Sequence, residues 1–314
     1  MRNSGPKKRV IVIGELNIDA VATGLAEAPK MGGEILASDF CLTLGSASAI
    51  FACGIAKLGL EVTFVGKVGS DDFGKFCLAA LREAGVSTRH VSQEKHLKTG
   101  TTISLSTHKD RALVTYLGAI DALGREHIKR SWLKNHSHLH MTSYFLQKRL
   151  QPDFPKIFRD ARARGLSTSF DPNSDPSDRW SDSIREVFAY TDLLFLNETE
   201  ALQLTHANNA RNALKALGNE VPCTVIKLGA RGAMALKDGK ITSVAGFKVS
   251  PVDTTGAGDS FAVGFVSAYL QGRAIEECLG VGNACGALST LHAGGTAGQP
   301  TRRTLKNFLA EKRS

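Results

Sequence analysis

The sequence predicts an α/β fold, with a central, mostly parallel sheet flanked by helices and a small β-sheet set apart from it. Three observations carry this expectation. Apolar runs such as Val10-Ile11-Val12-Ile13 and Leu193-Leu194-Phe195-Leu196 are those of strands buried on both faces. Stretches with apolar residues at helical spacing separate such runs, and strand–helix alternation is what a parallel sheet demands of its crossovers. Two segments, about 20–44 and 100–118, break the alternation with β-type patterning and no helix. A length of 314 residues suits one large domain with such an excursion.

Taken in order, the strand at 10–13 runs into Gly14-Glu15-Leu16-Asn17-Ile18-Asp19. No G-x-G-x-x-G follows it, which disfavours a dinucleotide-binding opening. Residues 21–23 and 34–37 read as short strands, and Phe40, Leu42 and Leu44 alternate with polar or small residues. Ala47, Ile50, Phe51, Gly54, Ile55 and Leu58 then line one buried helical face. A strand at 62–66 precedes a second helix marked by Phe73, Phe76, Cys77, Ala80, Leu81 and Ala84. A β pair at 100–106 and 111–117 turns at His108-Lys109-Asp110. Strands at 138–141, 167–171 and 193–196 alternate with helices near 153–163 and 180–189. A further strand at 222–228 leads to a hairpin, 232–236 with 241–245, turning at Asp238-Gly239. Helices at 260–271 and 274–291 close a domain expected over 10–300, leaving basic tails at 1–9 and 301–314.

Composition narrows the class of function. Hydrophobic content of 42% and charged content of 22% are ordinary for a soluble enzyme, and no apolar run approaches the roughly 18–20 residues that span a membrane. The N-terminus lacks a signal-peptide layout, and the six cysteines form no C-x-x-C pair. They read as small core residues of a reducing, cytoplasmic compartment. The net charge of +9 is concentrated at the ends: Arg2, Lys7, Lys8 and Arg9 at one, Arg302, Arg303, Lys306, Lys312 and Arg313 (with Glu311) at the other. A near-neutral body argues against nucleic acid as a partner.

The chemistry concentrates in Asp253-Thr254-Thr255-Gly256-Ala257-Gly258-Asp259-Ser260-Phe261. The amides that open the following helix lack intrahelical acceptors and sit at the positive end of its dipole, so the turn suits a phosphate or a developing oxyanion. A carboxylate there would repel such a ligand, unless Asp259 takes a proton from a hydroxyl that attacks phosphorus. That reading is phosphoryl transfer to an alcohol, with Asp259 as base and the amides of Gly256, Ala257 and Gly258 as anion hole. The bland alternative is a tight connection with Asp259 capping a helix. Asn197-Glu198-Thr199-Glu200 is likewise open between a helix cap and ligands for magnesium.

The nine-residue string resembles the D-T-x-G-A-G-D-x-F pattern of the ribokinase (PfkB) family of carbohydrate kinases, and the resemblance extends from about residue 10 to 300. It implies a ribokinase-like fold in which the 20–44 and 100–118 segments form a lid over the sugar, and such lids often pair between subunits as a homodimer. It implies ATP with Mg2+, Asn197 and Glu200 helping to hold the nucleotide's magnesium, Glu200 through water. Lys227, Gly229, Arg231 and Gly232 fall in a strand-end string that lies under ATP, and Asn283 matches a position near the adenine. Asp253, Thr255 and Gly295 fall where the family often binds K+. Gly14, Asn17 and Asp19 match its G-x-x-N-x-D, whose Asp holds sugar hydroxyls. The run from Val65 to Gly74 resembles its G-x-V-G-x-D-x-F-G and is expected to be structural.

The acceptor turn departs from the pattern. Where the family reads G-G-x-x-x-N, this chain has Gly45-Ser46-Ala47-Ser48-Ala49-Ile50, and the apolar Ile50 cannot hydrogen-bond a polyol. Either Ser46 and Ser48 supply those bonds or the acceptor is less hydroxylated than ribose. Phe170-Asp171-Pro172-Asn173 adds a faint resemblance to ketodeoxygluconate kinases. The expected substrate is a small sugar or sugar acid. The alternatives are a nucleoside kinase of the same fold and a sugar-binding sensor without catalysis.

Overall fold

The computed structural model describes residues 8–107 and 111–311, so the expected turn at 108–110 and the outer ends of both basic tails lie outside the described residues. The chain opens with β1 (Arg9–Ile13) and β2 (Asn17–Leu25), which belong to different sheets. β3 (Asp39–Leu44) returns beside β2, and α1 (Ala47–Lys57) leads back to β4 (Glu61–Gly69), α2 (Asp72–Glu83) and β5 (Ser87–Glu94). The excursion resumes with β6 (Gly100–Thr107) and β7 (Arg111–Tyr116). The strand–helix units that follow are β8 (His138–Thr142), α3 (Phe154–Arg162), β9 (Ser167–Asp171), α4 (Arg185–Phe188) and β10 (Leu193–Asn197). Then come α5 (Glu198–Thr205), α6 (Ala210–Leu217), β11 (Cys223–Lys227) and the hairpin of β12 (Ala233–Lys237) and β13 (Lys240–Val244). Helices α7 (Ala257–Leu270), α8 (Ile275–Ser289) and α9 (Arg302–Glu311) complete it.

The large sheet has nine strands in the order β13-β12-β11-β10-β9-β8-β1-β4-β5, parallel except at the β11/β12 and β12/β13 pairs. Because side chains alternate along a strand, its buried strands feed two cores. Val10, Val12, Phe64, Phe195 and Val225 join α1, α7 and α8 on one face. Ile11, Ile13, Leu194, Leu196 and Ile226 join α3 and α6 on the other. Polar residues gather where β1, β8, β9, β10 and β11 end, the edge at which open parallel sheets bind ligands. No helix of the described residues is long and apolar enough to cross a membrane. None of the six cysteines is in a disulfide, and all but Cys41 are buried.

The small sheet has the order β3-β2-β6-β7, and its register divides it into two unlike faces. One carries the row Thr43–Asp19–Thr102–Thr115. The other carries the row Leu42–Ala20–Ile103–Val114. This is the expected lid.

Several local expectations are corrected. The 34–37 segment is not a strand: β2 takes β3 directly as its neighbour, and Leu36 stands exposed with no sheet face to cover. In α2, Phe73 and Phe76 are exposed while Gly74, Cys77, Leu78 and Leu81 turn inward. The close approach of Gly74 to Gly69, whose carbonyl oxygen would lie 2.1 Å from any Cβ at 74, sets that orientation. Helix α1 is buried from Ser48 to Ile55, not along one face, because it lies between the sheet and α7. Most of the 301–314 stretch is not a solvated tail but α9, whose Leu305 is buried and whose Phe308 packs on Phe247. The helix expected near 180–189 is a 3-10 turn followed by the single turn of α4.

Candidate active site

Helix α7 begins at the expected turn. Gly256 is its N-cap at φ 72°, a left-handed conformation that suits glycine, and a Cβ there would approach Gly295 and Ile50. Gly256, Ala257, Gly258 and Asp259 line a cavity of about 1900 Å3. Sites for one small ligand are usually about 300–1,000 Å3, so this cavity has room for two molecules. The turn also engages one of its own amides: Ala257 N–H donates to Thr254 O at 3.2 Å. One of the three amides expected to form the anion hole, that of Ala257, is thus engaged within the turn itself.

Asp259 sits in the first turn of α7, and burial pushes its carboxyl up to about 7. Repulsion from Asp171, Glu15 and Glu200 acts in the same direction, and Lys227 opposes it. A carboxylate poised near neutrality has the proton affinity a general base needs. Lys227 leaves the end of β11 and places its ammonium 2.5 Å from Asp171 Oδ2 at the end of β9. A Cβ on Gly258 would lie 3.2 Å from that ammonium, so lysine and anion turn are neighbours. Burial pulls Lys227 down, but Asp171, Glu200 and Asp259 hold it above its ordinary value.

Asn197 and Glu200 form a full capping box on α5. Asn197 Oδ1 accepts from Glu200 N, and Glu200 Oε2 accepts from Asn197 N, both at 2.8 Å. Both residues also line the cavity. Burial pushes Glu200 up; Lys227 opposes this and Asp171 adds to it. Gly229 and Gly232 line the cavity, and the space beside Gly229 is open, as close approach of a ligand to backbone requires. Gly232, at φ 99°, is fixed instead by the hairpin: a Cβ would lie 2.1 Å from Val244 O. Asn283 lines the cavity while its amide donates to Val244 O and Ala245 O, tying α8 to β13. Arg231 points elsewhere; it is exposed, pairs with Glu198 and is absent from the cavity wall.

Asn17, Asp19 and Gly45 converge. Asn17 Nδ2 donates to Asp19 Oδ1 at 3.0 Å, Gly45 N donates to Asn17 O, and a Cβ at Gly45 would strike Asp19 Oδ1 at 2.2 Å. This corner belongs to the polar face of the lid, where Thr102 and Thr115 hydroxyls meet at 3.1 Å and Thr115 reaches the cavity wall. Thr43, beside Asp19, in turn meets the 294–295 turn that abuts Gly256. Lid corner and anion turn are therefore joined.

The departures in the 45–50 turn acquire a structural explanation. Ile50 is buried against Gly256 and Gly295, so it fills space behind the anion turn and does not face an acceptor. The hydroxyls of Ser46 and Ser48 are directed at Glu15: Ser46 Oγ lies 2.6 Å from Glu15 O, and Ser48 Oγ 2.5 Å from Glu15 Oε2. Their protons are therefore engaged, both side chains are buried, and neither lines the cavity. Asp253 likewise accepts from Thr255 N and Gly294 N, which places Asp253, Thr255 and the 294–295 turn together. No cluster of three His, Cys, Asp or Glu among the described residues has the arrangement of a metal site. Asp71 is structural, as expected of its motif: it caps α2 through Gly74 N and takes both Thr99 N and Thr99 Oγ1.

Sequence reasoning missed Asp171 and Glu15. Asp171 lay in a noted string without a role, and its partner Lys227 is 56 positions away. Glu15 carried no local signal at all.

Comparison with known proteins identifies the family and the fold. A model of the pfkB family carbohydrate kinases matches residues 7–302. A 2-dehydro-3-deoxygluconokinase of Bacillus subtilis is 31% identical, covering 95% of this chain and 98% of its own. A ribokinase of Haemophilus influenzae is 28% identical, covering 96% and 99%. Among solved structures, a protein described as a ribokinase II of E. coli, in complex with ATP and Mg2+, superposes with a TM-score of 0.86 at 26% identity. It covers 97% of this chain and 99% of its own.

Proposed function

The chain belongs to the pfkB family of carbohydrate kinases, and on that premise we propose that it transfers a phosphoryl group from ATP to a primary hydroxyl of a sugar or sugar acid. The observation that carries the reading is the placement of Asp259, with its raised proton affinity, on the Gly256–Gly258 side of a cavity large enough for two substrates. Asp259 takes the hydroxyl proton as the oxygen attacks phosphorus. The amides of Gly256 and Gly258, with Lys227 beside them, face the charge that builds on the transferring group. Asn197, Glu200, Gly229, Gly232 and Asn283 form the nucleotide's side of the cavity. Mg2+, when bound with the nucleotide, neutralises phosphate charge there, and Glu200 is the carboxylate of this wall that can orient its waters.

The acceptor is assigned to the corner of Asn17, Asp19, Gly45 and Thr102, none of which lines the cavity itself; Thr115, bonded to Thr102, joins that corner to the cavity wall. Lys148 and Arg179 also line the cavity, and either would attract a carboxylate, so sugar acids rank beside neutral sugars. A monovalent cation such as K+ is assigned to the neighbourhood of Asp253, Thr255 and Gly295. The enzyme is read as cytoplasmic, and as a homodimer through the apolar face of its lid.

The test is ADP release coupled to a panel of sugars, sugar acids and nucleosides, with Mg2+ and with or without K+. One acceptor turning over well above the ATPase background supports the reading and names the substrate. Turnover confined to nucleosides would replace it with a nucleoside kinase. Binding of sugar without turnover would favour a sensor.

A further inference from the structure

Glu15 joins β1 to β2 and is only 2% exposed, yet among the described residues no cation is one of its hydrogen-bond partners. Its Oε1 accepts from Ser46 Oγ at 3.1 Å, Ser48 N at 3.1 Å and Ser143 Oγ at 2.9 Å. Its Oε2 accepts from Ser48 Oγ at 2.5 Å and Gln147 Nε2 at 3.5 Å. A carboxylate removed from water is costly unless its oxygens are well supplied with donors. Here the donors come from two places, the 45–48 turn and the segment that follows β8. A core needing only to be filled would use an apolar side chain, so the arrangement calls for a role for the carboxylate itself.

Two features of the turn supply that role. Ser46 has φ 72°, a left-handed conformation that disfavours any residue with a Cβ. Ser46 holds it while its hydroxyl lies within reach of both the main-chain oxygen and the carboxylate of Glu15, and while its Oγ caps α1 through Ala49 N. The preceding residue, Gly45, packs so closely on Asp19 and Asn17 that a Cβ there would lie 2.2 and 2.5 Å from their side chains. The conformation at 46 therefore fixes the placement of 45 against Asp19. On its other side, Glu15 takes Ser143, whose oxygen accepts from Asn173 Nδ2 at 3.0 Å, and Asn173 lines the cavity.

We propose that Glu15 is a positioning residue for acceptor binding: its buried carboxylate clamps the 45–48 turn in its left-handed conformation and so holds Gly45 against Asn17 and Asp19. The proposal rests on the reading that this corner receives the acceptor, but its structural half can be tested apart from it.

The experiment compares the wild type with Glu15→Gln, Ser46→Gly and the double variant. Hydrogen–deuterium exchange is followed on the ligand-free full chain, in peptides covering 45–50 and 256–262. Glu15→Gln is expected to speed exchange over 45–50 about tenfold, the effect of losing one hydrogen bond to a charged group, and to leave 256–262 unchanged. Glycine accepts the left-handed conformation and remains a fair N-cap, so adding Ser46→Gly is expected to return exchange to within about threefold of wild type. Kinetics with D-ribose and 2-dehydro-3-deoxygluconate as probes should show the acceptor KM rising about tenfold in Glu15→Gln, with the KM for ATP unchanged, and the same rescue. Unchanged exchange, or acceleration throughout the chain without rescue, overturns the proposal. If Glu15→Gln does not fold, Ser143→Ala removes a single donor and must loosen 45–50 in the same direction; no change there overturns it equally. A wild type inactive on both probes but showing the exchange pattern would count against the acceptor assignment and leave the clamp standing.

Discussion

Lys227 Nζ lies 2.5 Å from Asp171 Oδ2, and this pair links the ends of β11 and β9 at the wall of the cavity. Asp171 is buried and Lys227 nearly so, and the ammonium that pairs with Asp171 is also held charged by the nearby Glu200 and Asp259. Without ligand it is the cation that allows three carboxylates to crowd one site. Under the proposed function, its place beside Gly258 is where it would meet the phosphate of a bound nucleotide.

Lys227→Met should therefore be costly in two ways. Removing one partner of a buried pair typically costs about 3–5 kcal/mol, because the remaining charge is left uncompensated. Denaturant unfolding should show a loss of that order, and adding Asp171→Leu should recover much of it. Activity should not recover in the double variant, as the cation beside the anion turn is still missing. Equal recovery of stability and turnover would assign Lys227 a structural role alone.

Asp259→Asn should fold and lose turnover by about 10²-fold or more, the usual contribution of a general base. In the wild type, kcat/KM should rise with pH through an apparent pKa near 7, because Asp259 is pushed up to about 7 and acts only when ionised. Rates measured from pH 5 to 9 in a buffer series check this. A flat profile down to pH 5 would mean that another group takes the proton.

The same shift has a stability consequence of fixed sign. Asp259 titrates near 7 when folded and near 3.8 when unfolded, so between those values the folded chain binds the extra proton and stability falls as pH rises. At pH 8 the ionised, half-buried carboxylate is a net burden. Asp259→Asn should consequently melt a few degrees above wild type at pH 8, and the gap should narrow toward pH 4. A variant less stable than wild type at pH 8 would show that the ionised carboxylate has compensating partners.

The legible part of this site was the part written in neighbouring residues. The Asp253-to-Phe261 string and the Asn197/Glu200 box are local, so glycine pattern and i, i+3 spacing reveal them. The Lys227–Asp171 pair and the Glu15 web join residues 31 to 132 positions apart, and only the pairing of strands in the two sheets brings them together. Substitution of Ile50 was readable as a departure, but its cause was not: the side chain lies behind the anion turn, against Gly256 and Gly295. Among the elements, β5 (Ser-Thr-Arg-His-Val-Ser-Gln-Glu) escaped notice because a polar edge strand carries little hydrophobic alternation. Helix α9 was hidden by its charges, and only Leu305 and its apolar neighbours betray the face that docks.

The lid gives the last prediction. Its inner row, Thr43–Asp19–Thr102–Thr115, is polar, and its outer row, Leu42–Ala20–Ile103–Val114, is apolar. Leu42, Ile103 and Val114 are 46%, 45% and 59% exposed, with Phe40 and Tyr116 exposed on the same face. A monomer gains nothing from an apolar row on the outside of a four-stranded sheet, whereas a two-fold dimer buries it in both copies at once. Sedimentation velocity should find a dimer that Ile103→Glu converts to a monomer, since a charge at the centre of the row would be buried without a partner. Because the same strands carry Asp19 and Thr115 on their inner side, the monomeric variant should also show a raised acceptor KM with the KM for ATP unchanged. A wild type that sediments as a monomer at all concentrations would remove the dimer, and would leave the outer row without the partner its composition calls for.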